Sequence, residues 1–206
     1  LHTYVNPEHE LAIEARVRDL WPDVSIIASH KVCGEWREYE RTSTAVLSAY
    51  VHPIAKGYLA SLDEKLTARG LSGKPLIMRS NGGVATVEGA RNDPISMVES
   101  GPASGVLGAA ALGVQIGEPN LIALDIGGTT AKTALIENGA AKITTSYKIE
   151  WDRTNPGYPI RTPVVDLVEI GNGGGSIAWV DKGGRMHVGP QSAGSQPGPA
   201  AYGRGG

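Results

Sequence analysis

A short apolar run that ends in an aspartate and a glycine pair constrains the fold of this sequence more than any other feature. Residues 121–125 read Leu-Ile-Ala-Leu-Asp, which is typical of a β-strand that delivers a carboxylate to its end. Gly127-Gly128-Thr129-Thr130 follows after one residue, and the apolar run 131–136 begins directly behind it. This order predicts a strand, a tight turn and a second strand, with Asp125 at the edge of the turn.

The predicted turn has the composition of a phosphate-binding loop. Because Gly127 and Gly128 lack a Cβ atom, backbone N–H groups there can approach phosphate oxygens closely and donate to them. The hydroxyls of Thr129 and Thr130 add donors, and the Asp125 carboxylate can hold a hydrated Mg²⁺ or orient a water. The alternative is an ordinary hairpin turn with a solvated aspartate. The threonine pair and the apolar strand behind it favour phosphate binding.

The composition excludes several functional classes. The 206 residues carry 19 basic and 21 acidic side chains, a formal charge of −2, which excludes a nucleic-acid binder with a basic face. No run of about 18 apolar residues exists to span a membrane. The single cysteine, Cys33, fits a reducing cytoplasm and is expected to be inert packing. The chain begins Leu1-His2 and ends Gly205-Gly206, so we expect it to be a piece of a longer protein.

Three consecutive sections are expected along the chain. Residues 1–75 are expected to be mainly helical, and residues 76–150 to form strands and short helices that carry the glycine turn. Residues 151–206 are expected to form glycine-rich loops with a hairpin near 181–184, and Asn138-Gly139 is a strong signal for another hairpin. The change from helical spacing to short apolar runs predicts an α/β fold with a mixed sheet.

The helical section contains the clearest local signals. The Asn-Pro pair at residues 6–7 is expected to start a first helix, and residues 24–28 are expected to form a short strand. Thr42 or Ser43 is expected to cap a long helix that stops at Gly70. The apolar line of this long helix consists of Leu47, Tyr50, Ile54, Tyr58, Leu62 and Leu66.

Two further segments keep more than one interpretation. The run 173–175 is three glycines, whose ordering cost excludes a regular element, so a substrate-facing loop and a mobile connector both stay open. The segment that follows the predicted strand 76–78 has two interpretations: a loop that closes over a nucleotide or substrate, or a structural turn. That second segment consists of Ser80, Asn81, Gly82 and Gly83.

Several motifs together resemble known protein families. The 125–130 segment resembles the second phosphate loop of the actin, sugar kinase and heat-shock ATPase superfamily, which implies part of an actin-like ATPase core, incomplete in these residues. The remaining motifs narrow the resemblance to the hydantoinase A / 5-oxoprolinase family, N-methylhydantoinase-like and ATP-hydrolysing, of which this chain is similar to a central fragment. The segments that carry this resemblance are 37–44, 80–84, 100–106, 171–181 and 188–200.

The resemblance implies an ATP-dependent hydrolase that opens small cyclic amides of the hydantoin or 5-oxoproline type. ATP and Mg²⁺ are then the implied cofactors, with Asp125 holding the metal through water and residues 127–130 holding the β- and γ-phosphates. Lys132 stands where the commonest family pattern has an acidic residue, and a lysine there can meet a phosphate directly. The alternatives are the nucleotide-binding subunit of a ketone carboxylase and a non-catalytic isolated module.

Parts of the family pattern are missing from these residues. The family has an earlier aspartate–glycine loop and a later glycine-rich adenosine motif, and this sequence contains neither. Phosphoryl transfer needs groups that arrive from more than one side of the phosphate. We therefore expect the 206 residues alone to be inactive, and a second subunit or further domains of the parent protein to complete the site.

Overall fold

The structure is a computed structural model that describes residues 2–151 and 154–204 of the chain. Its residues group into two units: unit 1 comprises Leu1–Ala103 with Ile143–Val164, and unit 2 comprises Ser104–Lys142 with Val165–Gly206. The helices are α1 (Glu8–Leu20), α2 (Ser29–Val32), α3 (Glu38–Ala68), α4 (Val87–Asn92) and α5 (Ser100–Ile116). The strands are β1 (Leu76–Met78), β2 (Val84–Thr86), β3 (Leu121–Ile126), β4 (Ala131–Glu137), β5 (Ala140–Ala141), β6 (Ile143–Thr144), β7 (Tyr147–Ile149), β8 (Tyr158–Ile160), β9 (Val164–Val165), β10 (Val168–Ile170), β11 (Ser176–Val180) and β12 (Met186–Ser192). Within the described ranges, no helix has the length and apolar character that crossing a membrane requires.

The first helix begins where the sequence predicts it. The side-chain oxygen of Asn6 accepts a hydrogen bond from the Glu8 backbone N–H at 3.0 Å. Glu8 and Glu10 lie in the first turn of α1, where the exposed N–H groups favour negative charge. The prediction of a helix start at residues 6–7 is therefore confirmed.

The long helix α3 begins earlier than predicted. It starts at Glu38, so the prediction of a cap at residues 42–43 is wrong. Glu38 and Glu40 favour this earlier start, because they place negative charge in the first turn. The stop is confirmed, since Gly70 follows the helix with a φ of +86°, a conformation that glycine adopts without strain.

Three of the six residues in the predicted apolar line of α3 are exposed. Tyr50, Ile54 and Tyr58 are 78%, 76% and 66% exposed, whereas Ser48 and Leu59 are buried. Packing against α4 and the β1–β2 hairpin selects the Leu59 face, and this choice depends on neighbours that helical spacing does not reveal. One core cluster of unit 1 consists of Leu59, Val87 and Ala90, with Leu62, Ile77, Ala85 and Met97 packed around them.

Residues 24–28 do not form the predicted strand. A strand needs a neighbour to satisfy its backbone hydrogen bonds, and no strand among the described residues pairs with this segment. Its side chains hold it in place instead. Ser25 Oγ forms a hydrogen bond with His52 Nδ1 of α3, and Ala28 is buried.

Unit 2 is built on a sheet with the strand order β10-β4-β3, in which β5 also pairs with β4. All of these pairings are antiparallel, so the mixed sheet favoured by the sequence is not what these strands form. The reason for β3 to β5 is local, because the 127–130 turn and the Asn138-Gly139 turn are too short for a parallel connection. Asn138 and Gly139 have φ angles of +53° and +76°, so the hairpin predicted there is confirmed.

The two faces of this sheet differ in burial. On one face Ala134 and Ile136 are buried, and Leu121 lies against α5, where a Cβ added at Gly113 would be 2.5 Å from Leu121 Cδ1. The strand register places a second set of side chains together on the opposite face. This apolar face consists of Ile122, Leu124, Ile126, Leu135, Val168 and Ile170, each more than half exposed.

The glycine-rich tail of unit 2 contains the hairpin predicted near 181–184. β11 and β12 pair antiparallel, and Asp181 Oδ1 accepts a hydrogen bond from the Gly183 N–H at 2.8 Å in the turn between them. Gly184 follows with a φ of +78°, which lets the chain reverse without steric strain. The segment 171–175 precedes β11, and the Ala193 N–H directly after β12 donates to the Gly175 carbonyl at 2.7 Å.

Candidate phosphate-binding site

The strand–turn–strand prediction around Asp125 is confirmed. β3 and β4 pair in antiparallel register from Leu121 with Ile136 to Ile126 with Ala131. The Gly127 N–H closes the turn by donating to the Thr130 carbonyl at 2.9 Å. Residues 127–129 are exposed, and so is Asp125 at the end of β3. The segment 125–130, called the aspartate turn below, therefore presents backbone and a carboxylate to solvent.

Two backbone N–H groups of the aspartate turn remain for a ligand. The Gly174 N–H donates to the Gly127 carbonyl at 2.9 Å, and the Gly175 N–H donates to the Gly128 carbonyl at 2.7 Å. A trans peptide is planar with its C=O and N–H directed oppositely, so the N–H groups of Gly128 and Thr129 point away from these donors. Neither has a hydrogen-bond partner within residues 2–151 and 154–204. A Cβ added at Gly128 would meet nothing within 4 Å.

A row of three charged residues crosses the sheet beside the aspartate turn. The register pairs Asp125 with Lys132, and Lys132 with Glu169. Directly opposite residues of neighbouring strands share one face, so the three side chains project on the same side. Lys132 Nζ lies 3.7 Å from Glu169 Oε1, and its side chain is only 15% exposed. The row carries a net charge of −1, which suits a site that holds a cation beside phosphate.

The other predicted segment, residues 80–83, belongs to unit 1. Ser80 is fully buried, and its hydroxyl donates to the Ser96 carbonyl at 2.7 Å. Asn81 Oδ1 accepts a hydrogen bond from the Gly83 N–H at 2.9 Å. Gly82 has a φ of +83° and donates its N–H to the Arg79 carbonyl at 3.0 Å. These internal bonds favour the structural turn, one of the two interpretations that the sequence leaves open.

Sequence reasoning missed two parts of the candidate site. One is Glu169, which partners Lys132 from a strand that the sequence did not single out. The other is the contact between the aspartate turn and the glycine loop, defined as residues 171–176: the Gly174 and Gly175 N–H groups donate to the Gly127 and Gly128 carbonyls. The glycine run was the available signal, because consecutive glycines also occur where two backbones approach closely.

Cys33 and the metal-ligand residues add no further site. Cys33 is 4% exposed, and burial raises the pKa of its thiol, so the reactive thiolate is disfavoured. Within the described ranges, no three or more His, Cys, Asp or Glu side chains are grouped to hold a metal ion. Mg²⁺ does not need such a group, because it is commonly held by one or two carboxylates together with waters and substrate phosphates.

Comparison with known protein families identifies relatives over almost the whole chain. A sequence profile described as Hydantoinase/oxoprolinase matches residues 41–206. The chain is 39% identical over 211 residues to an uncharacterised protein of Methanocaldococcus jannaschii, and 36% identical over 201 residues to the caprolactamase subunit alpha of Pseudomonas jessenii. These alignments cover 100% and 98% of this chain but only 31% and 28% of the relatives. The chain thus spans less than a third of their length.

Two solved structures share the fold. The ATP-dependent caprolactamase from Pseudomonas jessenii matches with a TM-score of 0.80 and 35% identity, over 99% of this chain and 29% of that chain. The nucleotide-free structure of acetone carboxylase, described for ATP-dependent acetone carboxylation, matches with a TM-score of 0.76 and 28% identity, over 94% of this chain and 27% of that chain. The mixed α/β arrangement of helices and strands is therefore common to all three.

Proposed function

Because the chain belongs to the hydantoinase/oxoprolinase family, we propose that it supplies the phosphate-binding part of a longer ATP-dependent enzyme that opens cyclic amides. The observation that carries this proposal is the pair of unpartnered N–H groups at Gly128 and Thr129, with open space around Gly128. A caprolactam is a cyclic amide, and the caprolactamase relative is described as ATP-dependent. The oxoprolinase part of the family name points to the same class of substrate.

The residues of the aspartate turn divide the work of holding Mg²⁺ and ATP. The N–H groups of Gly128 and Thr129 donate to the β- and γ-phosphates, assisted by the Thr129 and Thr130 hydroxyls, while Gly127 keeps the turn closed. Asp125 holds Mg²⁺ through water. Lys132, steadied by Glu169, adds positive charge beside the developing negative charge of the transferred group. ATP supplies the phosphoryl group that activates the amide oxygen, and such transfer depends mainly on positioning and charge neutralisation.

The remaining contacts to ATP come, in this proposal, from residues outside the 206. The fold is then one part of an actin-like ATPase core, and further domains or a second subunit supply the opposing loop and the adenosine pocket. The names of the relatives support this view, since the caprolactamase match is one subunit of an enzyme and is more than three times longer than the aligned region. The chain by itself is expected not to turn over ATP, because well-oriented groups supply about 7–11 kcal/mol of barrier reduction and the opposing loop and adenosine pocket are not among these residues.

A second candidate uses the same site for a different substrate. The acetone carboxylase match favours a role in ATP-dependent carboxylation of a ketone. The aspartate turn then holds ATP in the same way, while the activated group is bicarbonate or an enolate oxygen instead of an amide oxygen. A substrate panel separates these two functions, because the phosphate site is common to both.

The test is ATP turnover by the full-length protein, measured as phosphate release with hydantoin, 5-oxoproline, caprolactam, or a ketone with bicarbonate. Gly128→Val places a branched side chain beside the two N–H groups and is expected to lower kcat/KM for ATP at least about a hundredfold. Gly34→Val is the matched control, because Gly34 also has open space around its Cβ position and lies in an exposed loop of unit 1. Turnover by Gly128→Val within about twofold of the parent would remove the phosphate assignment.

A further inference from the structure

The glycine loop is in direct backbone contact with the aspartate turn. The Gly174 N–H donates to the Gly127 carbonyl, which shares a peptide group with the Gly128 N–H. The Gly175 N–H donates to the Gly128 carbonyl, which shares a peptide group with the Thr129 N–H. A planar peptide moves as one body. Any displacement of the glycine loop therefore rotates the N–H groups that are free to meet a ligand.

Gly173 is the position where this contact leaves no space. A Cβ added there would lie 2.7 Å from each of three backbone atoms, namely Gly127 O, Gly128 C and Thr129 N. Real Cβ atoms do not approach backbone atoms so closely, so the turn itself would have to shift. The neighbouring Gly174 differs, because its added Cβ would meet only Gly127 O at 3.8 Å, an ordinary van der Waals contact.

The far side of the glycine loop is anchored to the β11–β12 hairpin. Ser176 Oγ, at the start of β11, accepts a hydrogen bond from the Gly173 N–H at 2.7 Å. The Ala193 N–H, directly after β12, donates to the Gly175 carbonyl at 2.7 Å. The loop is thus bonded on both sides, to the hairpin and to the aspartate turn, which favours an ordered loop over the mobile connector considered from the sequence.

We propose that Gly173 is a positioning residue for the ATP phosphates, which it aligns through the peptide groups of the aspartate turn. This inference rests on the proposed function and adds to it a residue that does not itself touch the nucleotide. Ser176 supports this role indirectly, because its hydroxyl accepts a hydrogen bond from the Gly173 N–H. The glycine run is needed here for close backbone approach and not for flexibility.

The experiment measures KM for ATP, KM for the amide substrate and kcat in the full-length protein. Gly173→Ala is expected to worsen kcat/KM for ATP about a hundredfold through a raised KM for ATP, because small misplacements of binding groups cost this much. Gly108→Ala, the matched control, lies in an exposed position of α5 with open space around its Cβ position, and is expected to stay within about twofold of the parent. A substitution that only destabilises the fold reduces the amount of active enzyme, and hence kcat, but leaves KM for ATP unchanged.

Ser176 variants keep the test decisive if Gly173→Ala does not fold. Ser176→Ala removes the acceptor for the Gly173 N–H and is expected to raise KM for ATP, whereas Ser176→Thr keeps the hydroxyl and is expected to restore it. An unchanged KM for ATP in both Gly173→Ala and Ser176→Ala, while Gly128→Val still abolishes ATP use, would overturn the positioning role and leave the phosphate site standing. Full activity in all of these variants, Gly128→Val included, would instead overturn the proposed function itself.

Discussion

Asp125 is the acidic residue of the aspartate turn. It is exposed at the end of β3, beside the free N–H groups of the aspartate turn and opposite Lys132. A carboxylate in this place can hold a hydrated metal ion close to phosphate oxygens without touching them itself. Its contribution should therefore be visible as a dependence on Mg²⁺, separate from the binding of the phosphates.

Asp125→Asn is expected to leave the conformation of the turn unchanged and to weaken the binding of Mg²⁺. The amide has the same shape as the carboxylate but lacks its charge, so the Mg²⁺ concentration for half-maximal ATP turnover should rise about tenfold to a hundredfold. Asp166→Asn is the control, because Asp166 is a carboxylate of the same unit that pairs with Lys142 at 3.0 Å. Equal Mg²⁺ dependence in Asp125→Asn and the parent would take Asp125 out of the metal site.

Features that depend on residues close in sequence could be predicted, whereas contacts between segments far apart in sequence could not. The aspartate turn could be predicted because β3, the glycine pair and β4 are consecutive, so that local pattern and turn chemistry act together. The hydrogen bonds from Gly174 and Gly175 to Gly127 and Gly128 could not be predicted, since they join segments far apart in sequence and no periodicity records them. The exposed Tyr50 on α3 has the same explanation: its neighbours decide its burial.

At the scale of elements, two carboxylates of α1, the buried Glu14 and the partly buried Glu10, join α1 to α2. Glu10 accepts hydrogen bonds from the Ser29 hydroxyl and from the His30 backbone N–H at 3.0 Å, and its Oε2 lies 2.7 Å from His30 Nδ1. Glu14 pairs with Lys31 at 2.7 Å. Because α2 has four residues, these side chains and not helical propensity hold it in place.

The contacts of Glu10 should make the free energy of unfolding depend on pH. Burial alone would raise the pKa of Glu10, but the hydrogen bonds from Ser29 and His30 outweigh it and lower the pKa from 4.5 to about 2. A lowered pKa in the folded state stabilises the fold above pH 4.5, and this contribution is lost as the pH falls toward 2. Glu10→Gln should therefore be less stable than the parent chain at pH 7, with the difference shrinking between pH 4.5 and 2.

Urea unfolding of the 206-residue chain at a series of pH values checks this expectation. Glu64→Gln serves as the control, because Glu64 is an exposed carboxylate of α3 with no ion pair or hydrogen bond in the part of the chain that the structure describes. A difference between Glu10→Gln and the parent that stays constant from pH 7 to pH 2 would show that the contact does not depend on ionisation.

For the whole molecule, the apolar face of the unit 2 sheet is the most telling surface. A sheet in an α/β protein usually buries both faces, and here only the face toward α5 is buried. Monomeric proteins seldom expose a contiguous apolar patch of this kind. The face agrees with the proposal that this chain is one part of a longer protein, in which further residues pack on the sheet.

Dye binding tests the exposure of this face in the isolated chain. The 206 residues are expected to bind the apolar dye ANS, and the triple change Ile122→Thr, Leu124→Thr and Ile126→Thr is expected to reduce that binding, because threonine favours strands but adds a hydroxyl. Changing the same three residues to valine keeps the face apolar and should leave dye binding unchanged. Equal fluorescence for the threonine and valine variants would contradict the assignment of this face as the exposed patch.

The two compact units of the chain are not consecutive in sequence. The three sections expected from composition stay a prediction, whereas each compact unit combines two separate stretches. Residues 143–164 return to unit 1, where the Arg161 N–H donates to Thr44 Oγ1 of α3 at 2.9 Å. A contact across so many residues depends on chain topology and not on composition.

The most direct measurement is a titration of Mg²⁺ and ATP into the ¹⁵N-labelled 206-residue chain, followed by the amide signals in NMR spectra. We expect the Gly128 and Thr129 signals to move at about millimolar ATP, the weak affinity expected of an incomplete site. The Gly183 signal should stay in place, because its N–H is already bonded to Asp181 at 2.8 Å. Unchanged Gly128 and Thr129 signals would contradict the claim that the aspartate turn binds phosphate. So would a Thr129 signal that still moves by the same amount in Gly128→Val.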